Sequence, residues 1–166
     1  TPLNAHVAGT IERDGYRIEK VHYESQPGHH VTANLYIPTL GKPPYPGVLV
    51  ACGHSENGKA YSEYQATAAL FAKNGFVALC YDPISQGERI QLPAAPRYGT
   101  LTHTLLDLGA LLVGRSTVWY ELVDGMRSLD NLRTRPEVDP SKPIGLTGTS
   151  GGGTQTTFFM AADPRI

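Results

Sequence analysis

The first third of the chain alternates apolar and polar residues with the period of a β-strand. In the segment HVTANLYIP, one face consists of Val31, Ala33, Leu35 and Ile37. A period of two residues is typical of a strand with one buried face. The β-rich segment GYRIEKVHYES precedes it, and the turn signal QPG separates the two segments. This pattern predicts an antiparallel hairpin at the N-terminal end.

From Pro46 onward, short apolar runs are separated by amphipathic segments. The runs GVLVAC and FVALCYD predict strands that are covered on both faces, and IGLTGT predicts a third short strand. Between the runs, EYQATAALFAKNG and the segment from Thr104 through VWYELVDGMRSLDNLRTR have helical spacing, and GGTQTTFFMAA predicts a last helix. Gly75 is a candidate helix end, and Gly109 and Gly114 allow either one kinked helix or two helices.

Strands and helices therefore alternate after the hairpin. Such alternation predicts an α/β fold in which the N-terminal antiparallel hairpin is followed by parallel strands with helices on both faces. The length of 166 residues fits one domain. In an open parallel sheet the functional site lies at the carboxyl ends of the strands. The loop PISQGERIQLPAAPRYGT follows a parallel strand and is expected at that edge.

Composition and charge argue against several classes of function. The formal net charge of −1 provides no basic surface for nucleic acid or an anionic membrane. No apolar run approaches the ~20 residues of a spanning helix, and TPLNAHVAGT lacks the features of a signal peptide. Cys52 and Cys80 are expected to be buried thiols, with a bridge between neighbouring strands as the alternative. The compartment therefore stays open.

The segment IGLTGTSGGG carries the clearest chemical signal. Ser150 lies between a predicted strand and a predicted helix, and Gly148 and Gly152 flank it in the pattern G-x-S-x-G. We expect a sharp turn with a strained serine backbone, because side chains at the two glycine positions would collide with the serine. The amide of Gly151, at the start of the helix, would face a developing oxyanion. The pattern favours a catalytic serine.

A glycine-rich turn between a strand and a helix can instead pack closely or bind phosphate. The dinucleotide-binding pattern fails here because Ser150 occupies the place of its second glycine. A P-loop would require a Gly-Lys-Ser/Thr ending, which is absent from this turn. Both mismatches favour the nucleophile.

A second glycine-containing loop, CGHSENGK, follows the first parallel strand. Such a loop is expected to supply the second oxyanion donor, and Gly53 and His54 take that position. We assign the donor to the backbone amide of His54. Its side chain would line the pocket or, as a weaker alternative, act as a general base. His29 and His30, beside the first turn, are expected to be solvated and to bind no metal.

Polar residues in the loop YDPISQGERIQ have two open interpretations. Asp82, Gln86, Glu88 and Arg89 either hold the loop by hydrogen bonds and ion pairs or contact substrate. The candidate substrate contacts are Gly53, Gln86 and Glu88. A solvated charged face is expected on the long amphipathic segment. Its members are Asp124, Arg127, Asp130, Arg133 and Arg135.

Taken together, these segments resemble the α/β-hydrolase superfamily and, within it, the acetyl xylan esterase-like branch of bacterial carbohydrate esterases. The resemblance rests on GTIERDGYRIEKVHYES, VTANLYIP, CGHSENGK, ALCYDPISQGER and RPEVDPSKPIGLTGTSGGG. It implies a serine esterase that removes an acyl group, with acetyl as the first guess, from a carbohydrate, without a metal or organic cofactor. Ser150 would be the nucleophile, and the amides of Gly151 and His54 the oxyanion donors. A secreted or periplasmic location would agree with the resemblance.

The resemblance also implies an incomplete site. In the superfamily an acid and then a histidine follow the serine along the chain, whereas AADPRI resembles the approach to the sixth strand. We therefore expect residues 1–166 to be the N-terminal portion of a single catalytic domain that lacks its C-terminal strands. This chain would be inactive without the remainder, which could be a second chain. Rival interpretations are a serine peptidase of the prolyl oligopeptidase type and a non-catalytic hydrolase-like module.

Overall fold

The computed structural model describes residues 2–95 and 99–166, so residues 96–98 of the predicted loop lie outside the described part. The strands are β1 (His6–Arg13), β2 (Tyr16–Gln26), β3 (His29–Pro38), β4 (Gly47–Ala51), β5 (Val77–Tyr81) and β6 (Gly145–Gly148). The helices are α1 (Ser62–Lys73), α2 (Gly99–Leu112), α3 (Thr117–Arg133) and α4 (Gly151–Ala162), with a 3-10 turn at Gly58–Ala60. None of the helices in these two ranges is long and apolar enough to cross a membrane.

The strands form one mixed sheet in the order β1-β2-β3-β5-β4-β6. β5, β4 and β6 are parallel to one another, and β3 joins them through an antiparallel pairing with β5. This arrangement confirms the expected α/β sheet. The N-terminal unit, however, has three antiparallel strands rather than the two of the predicted hairpin. β1 was missed because it is an edge strand with mostly exposed residues, and therefore shows little alternation.

Strand β3 has the predicted buried face and a second face that is also covered. Val31, Ala33, Leu35 and Ile37 are at most 1% exposed, which confirms the alternation. Tyr36, on the other face, is equally buried, because α1 packs over that side of the sheet. β3 is therefore an interior strand rather than a half-buried one.

Helices cover both faces of the sheet, as predicted. α1 covers one face through Tyr64, Ala68 and Ala72. On the opposite face, α3 and α4 pack into the core, and the Phe159 ring of α4 lies against Gly125 of α3. A Cβ atom at Gly125 would lie 1.9 Å from that ring, so only glycine permits this approach.

The long amphipathic region consists of two helices. Gly114, with φ of +70°, separates α2 from α3, which settles the alternatives left open by the sequence. The hydroxyl oxygen of Ser116 then caps α3 by accepting a hydrogen bond from the Trp119 amide at 3.1 Å. α2 begins at Gly99, ahead of the predicted start at Thr104.

The expectation of a solvated face on α3 is wrong for Asp124, which is 0% exposed. Its carboxylate pairs with Arg89 at 2.8 Å and accepts a hydrogen bond from the Ser25 hydroxyl at 2.5 Å. His29, expected to be solvated, lies 3.4 Å from the same carboxylate, whereas His30 is exposed. Burial raises the pKa of Asp124, but these hydrogen bonds and the Arg89 charge outweigh burial and lower it. Asp124 therefore ties α3 to the end of β2 and to the loop after β5.

The two cysteines are buried free thiols, as predicted. Cys52 and Cys80 belong to the neighbouring strand ends of β4 and β5, and their sulfur atoms are 3.3 Å apart. The pKa of the Cys52 thiol is raised by its hydrogen bond to Cys80 and by burial. Both side chains therefore pack as small apolar groups beneath α1.

Candidate active site

Three segments meet at the carboxyl edge of the parallel strands. β4 ends at Ala51, β5 at Tyr81 and β6 at Gly148, and β4 lies between the other two. The segments that follow these strands carry the predicted oxyanion loop, the polar loop and the serine turn, respectively. The sheet therefore brings the predicted site residues to one edge, as expected for this topology.

Ser150 has the strained backbone that the glycine pattern predicts. Its φ and ψ are 57° and −122°, a combination that side-chain-bearing residues rarely adopt. The chain passes from β6 into α4 within two residues, and Ser150 stands at the N-cap of that helix and is exposed. A non-glycine residue in such a conformation costs on the order of 1–3 kcal/mol and is commonly found at functional sites.

The two flanking glycines permit this turn, although a side chain at either position would collide with other atoms than those expected. A Cβ atom at Gly148 would lie 2.4 Å from the carbonyl oxygen of Gly152. A Cβ atom at Gly152 would lie 2.1 Å from the carbonyl oxygen of Ala51 in β4. The glycines are therefore required by contact between α4, β6 and β4, and not by collision with the serine itself.

The loop after β4 is held by hydrogen bonds on both sides of His54. The Gly53 amide donates to the Tyr64 hydroxyl at 2.8 Å, and the Ser55 amide donates to the side-chain oxygen of Gln86 at 2.5 Å. Within residues 2–95 and 99–166, the amide of His54 donates to no acceptor. The loop is therefore fixed while one amide between the two anchors stays free.

This loop lies directly against the serine turn. A Cβ atom at Gly53 would be 3.3 Å from the Cβ of Ser150 and 2.3 Å from the Thr149 carbonyl oxygen. The ring of His54 covers Gly151, whose own amide also donates to none of the described residues. Two free amides and an exposed hydroxyl thus stand at adjoining loops.

The remaining candidate substrate contacts hold loops together. Gln86 is 1% exposed, and its side-chain oxygen is occupied by the Ser55 amide. The Glu88 carboxylate is exposed and lies 2.5 Å from the Lys59 ammonium. Both residues therefore have the loop-holding contacts that the sequence left as one alternative. Substrate contact by Gly53, Gln86 or Glu88 stays a prediction.

Asp82 is the centre of the contact between the loops after β4 and β5. Its carboxylate is fully buried, pairs with the ammonium of Lys59 and accepts a hydrogen bond from the Lys59 amide at 2.7 Å. Cβ atoms at Gly58 and Gly87 would lie 2.0 and 2.2 Å from this carboxylate. The two glycines therefore leave room for a buried ion pair that joins the loops after β4 and β5.

Two residues beside His54 were not recognised in the sequence. The His54 Nε2 atom is 3.0 Å from Nδ1 of His103 in α2, and Nε2 of His103 is 2.7 Å from the Ile84 carbonyl oxygen. Burial lowers the pKa of both imidazoles, so both favour the neutral form. Glu121 of α3 lies 3.8 Å from His103. No local motif marks these positions, because the contact joins residues 49 positions apart.

These side chains line a cleft of about 390 Å³ next to the serine turn. Its wall combines polar and apolar groups, including His54, His103, Asp107, Leu108, Glu121 and Thr154. Burial, reinforced by the charge of Asp124, raises the pKa of Glu121 to about 7. No cluster of three potential metal ligands occurs among the residues that the structure describes.

Because the pKa of Glu121 is raised, the difference in stability between Glu121→Gln and the parent protein should depend on pH. A carboxyl whose pKa is higher in the folded state stabilises the fold below its unfolded pKa, and this contribution is lost as the pH rises through about 7. Glu121→Gln should therefore match the parent protein near pH 4, below the ordinary glutamate pKa of 4.5. At pH 8.5 it should have a larger free energy of unfolding, by up to about 3 kcal/mol. Urea unfolding at the two pH values measures this difference.

Glu12→Gln is the matched control, because Glu12 is exposed on β1. Its stability difference from the parent protein should not follow the pattern of Glu121→Gln between pH 4 and pH 8.5. An equal effect of Glu121→Gln at both pH values would contradict the raised pKa.

Comparison with solved structures identifies relatives of the same fold. A Bacteroides fragilis NCTC 9343 protein provisionally assigned as an acetyl xylan esterase matches 98% of the chain with a TM-score of 0.80 and 23% identity. The methylesterase BT1017 matches 100% at 0.77 and 26% identity, and the acetyl xylan esterase of Paenibacillus sp. R4 matches 93% at 0.68 and 25% identity. The chain spans 46%, 34% and 48% of these three structures, respectively.

Sequence comparison gives the family. The search of curated protein sequences finds no match. The model of the Abhydrolase family matches residues 2–166, which is nearly the entire chain. This match agrees with the mixed sheet, the helices on both of its faces and the strained serine turn. The chain belongs to the Abhydrolase family.

Proposed function

We propose that this chain carries the nucleophile and the oxyanion donors of a serine esterase that acts on acylated carbohydrates. The observation that carries the proposal is the strained, exposed Ser150 beside two free amides, those of Gly151 and His54. In an acyl transfer, such donors stabilise the charge that develops on the carbonyl oxygen. The family and the structural relatives support ester hydrolysis as the reaction.

The proposed reaction proceeds through an acyl-serine intermediate. The Ser150 hydroxyl attacks the ester carbonyl, and the amides of Gly151 and His54 stabilise the resulting oxyanion. The alcohol then leaves with a proton, and water hydrolyses the acyl-enzyme to release the acid. Free amides at the start of α4 suit this role, because the helix dipole adds positive potential there.

The proposal assigns the general base and its acid to residues outside positions 1–166. Within the described residues, no histidine makes a hydrogen bond with the Ser150 hydroxyl. In this fold the acid and histidine follow the serine along the chain, which agrees with a site that later residues complete. A serine without its base retains only the contribution of the oxyanion donors and of substrate binding, about 10³–10⁴-fold over water.

Two classes of ester are candidate substrates. In the first the sugar is the alcohol part of the ester, and in the second it is the acyl part. Acetyl esters of a sugar are the first, supported by the Paenibacillus sp. R4 enzyme, an acetyl xylan esterase by name. Methyl esters of a sugar acid are the second, supported by the 26% identity to a methylesterase over the whole chain. Both candidates use the same serine and the same oxyanion donors.

Activity assays on the full-length protein that carries this sequence test the proposal. Release of acetate from acetylated xylan, of methanol from a methyl-esterified polyuronide and of amine from a prolyl peptide would be compared. Esterase activity on one of the two carbohydrates, absent in Ser150→Ala, is the expected result. Cleavage of the peptide alone would instead favour a serine peptidase. Absence of all three activities, with an unreactive Ser150, would favour a non-catalytic module.

A further inference from the structure

The cleft beside Ser150 contains a chain of hydrogen bonds whose direction can be determined. The Ile84 carbonyl oxygen can only accept, so the Nε2 atom of His103, 2.7 Å away, carries a proton. In a neutral imidazole the other nitrogen is then an acceptor. His103 Nδ1 must therefore accept from the Nε2–H of His54, 3.0 Å away. This assignment leaves the proton of His54 on Nε2 and a lone pair on its Nδ1.

The lone pair on His54 Nδ1 stands beside the reacting serine. His54 Nδ1 is 2.8 Å from where a Cβ atom of Gly151 would be, so it lies over the residue that follows Ser150. No group among the described residues donates a hydrogen bond to His54 Nδ1. His54 is exposed and lines the cleft. The cleft therefore offers a fixed acceptor to a bound molecule.

We propose that His54 Nδ1 accepts a hydrogen bond from a hydroxyl group next to the ester oxygen, so that the site selects esters of vicinal diols, as found in sugars. The inference rests on the acetyl-sugar form of the proposed esterase function, since the alcohol of a methyl ester carries no neighbouring hydroxyl, and it specifies the alcohol part of that substrate. His103 is the positioning residue, because its own bond to Ile84 fixes which nitrogen of His54 remains free.

The composition of the cleft supports placing the alcohol there. Most of the exposed cleft wall is apolar, which suits the ring carbons of a sugar-like alcohol, and Asp107, Glu121 and Thr154 add polar groups that its hydroxyls can meet. Burial lowers the pKa of both imidazoles, which keeps them neutral and preserves the acceptor at neutral pH. His54 is exposed without a ligand, and a bound alcohol that covers Nδ1 excludes water from it. An analogue that lacks the matching donor then leaves this acceptor without a partner.

A pair of acetate esters measures this selection in the full-length enzyme. The first is trans-2-acetoxycyclohexanol, which has a vicinal hydroxyl. The second is trans-2-fluorocyclohexyl acetate, which has a similar size and an electron-withdrawing neighbour but no O–H donor. We expect kcat/KM to favour the hydroxyl ester by on the order of tenfold, the value of one hydrogen bond. The ratio of the two kcat/KM values stays constant when a variant changes the hydrolysis of both esters equally.

Variants of the hydrogen-bond chain should change the ratio in a defined order. His54→Phe removes the acceptor, and the ratio should fall to about one. His54→Gln provides a side-chain carbonyl and should restore part of the preference. His103→Phe removes the acceptor that holds the proton on Nε2 of His54. Either nitrogen of His54 can then carry the proton, so the ratio should be intermediate. Leu112→Ala, at an 88% exposed apolar position of α2 that does not line the cleft, is the matched control and should leave the ratio unchanged.

The possible outcomes separate this inference from the proposed function. Equal rates on the two esters in the parent enzyme, or a preference that persists in His54→Phe, would overturn the inference while the esterase assignment stands. Hydrolysis of neither ester by an enzyme whose Ser150 reacts with a fluorophosphonate would also overturn the inference alone. Hydrolysis of neither ester with an unreactive Ser150 would overturn both.

Discussion

Gly152→Ala is expected to abolish the proposed activity and to destabilise the fold by several kcal/mol. A Cβ atom there would lie 2.1 Å from the Ala51 carbonyl oxygen and 2.9 Å from the Ala51 carbonyl carbon. Both atoms belong to β4, an interior strand of the sheet, so the obstruction cannot move aside as a side chain would. Relief requires that α4 shift away from the sheet, which moves Ser150 relative to the loop that contains His54. Such overpacking typically costs 1–3 kcal/mol and can cost more.

The neighbouring glycines provide matched controls within the same helical turn. A Cβ atom at Gly153 would meet only the Gly148 carbonyl oxygen at an ordinary 3.5 Å. Gly153→Ala should therefore be neutral or up to about 1 kcal/mol more stable, because alanine favours the helix. Gly151→Ala would place its Cβ 2.8 Å from the His54 ring, which can rotate away, so we expect an intermediate effect. Urea unfolding and ester hydrolysis of the three variants give the ranking, and equal losses at Gly152 and Gly153 would contradict it.

Ser150→Gly is expected to eliminate ester hydrolysis while stabilising the protein. The serine has a φ of 57°, and glycine adopts such values without steric cost. Removing the side chain should therefore raise the free energy of unfolding by about 1 kcal/mol, at the lower end of the strain estimated for such residues. Loss of the proposed nucleophile should reduce kcat of the full-length enzyme by roughly 10⁴–10⁶-fold.

Ser150→Ala separates the two effects in this prediction. Alanine removes the hydroxyl but retains the Cβ, so the backbone strain remains and stability should stay near that of the parent protein. Activity should be lost in both variants, whereas only glycine should raise the unfolding midpoint in urea. If glycine and alanine gave the same stability, the backbone at position 150 would not be strained by its side chain.

The serine turn was predictable from sequence because its requirements are local. A strand, a helix and glycines at fixed spacing specify the turn, and the positive φ of Ser150 confirms it. The apolar runs likewise indicated the parallel strands, since strands covered on both faces leave continuous hydrophobic sequence. Local pattern was therefore sufficient for the fold class and for the position of the candidate nucleophile.

Features that depend on distant contacts were not predictable in this way. Asp124 has the helical position of a surface residue, and only its contacts with Arg89 and Ser25, from other elements, explain its burial. His103 joins the site because α2 folds back over the loop after β4, a packing that no short motif specifies. β1 is an exposed edge strand whose pairing depends on β2 more than on its own pattern.

Labelling of the full-length protein with a fluorophosphonate, followed by peptide mass spectrometry, tests the central claim most directly. This reagent forms a covalent adduct with an activated serine hydroxyl, independently of the natural ester. We predict one adduct, on Ser150 in the peptide segment GTSGGG, and none in Ser150→Ala. An unlabelled Ser150 in a folded full-length protein, or an adduct on another serine, would contradict the assignment of Ser150 as the nucleophile.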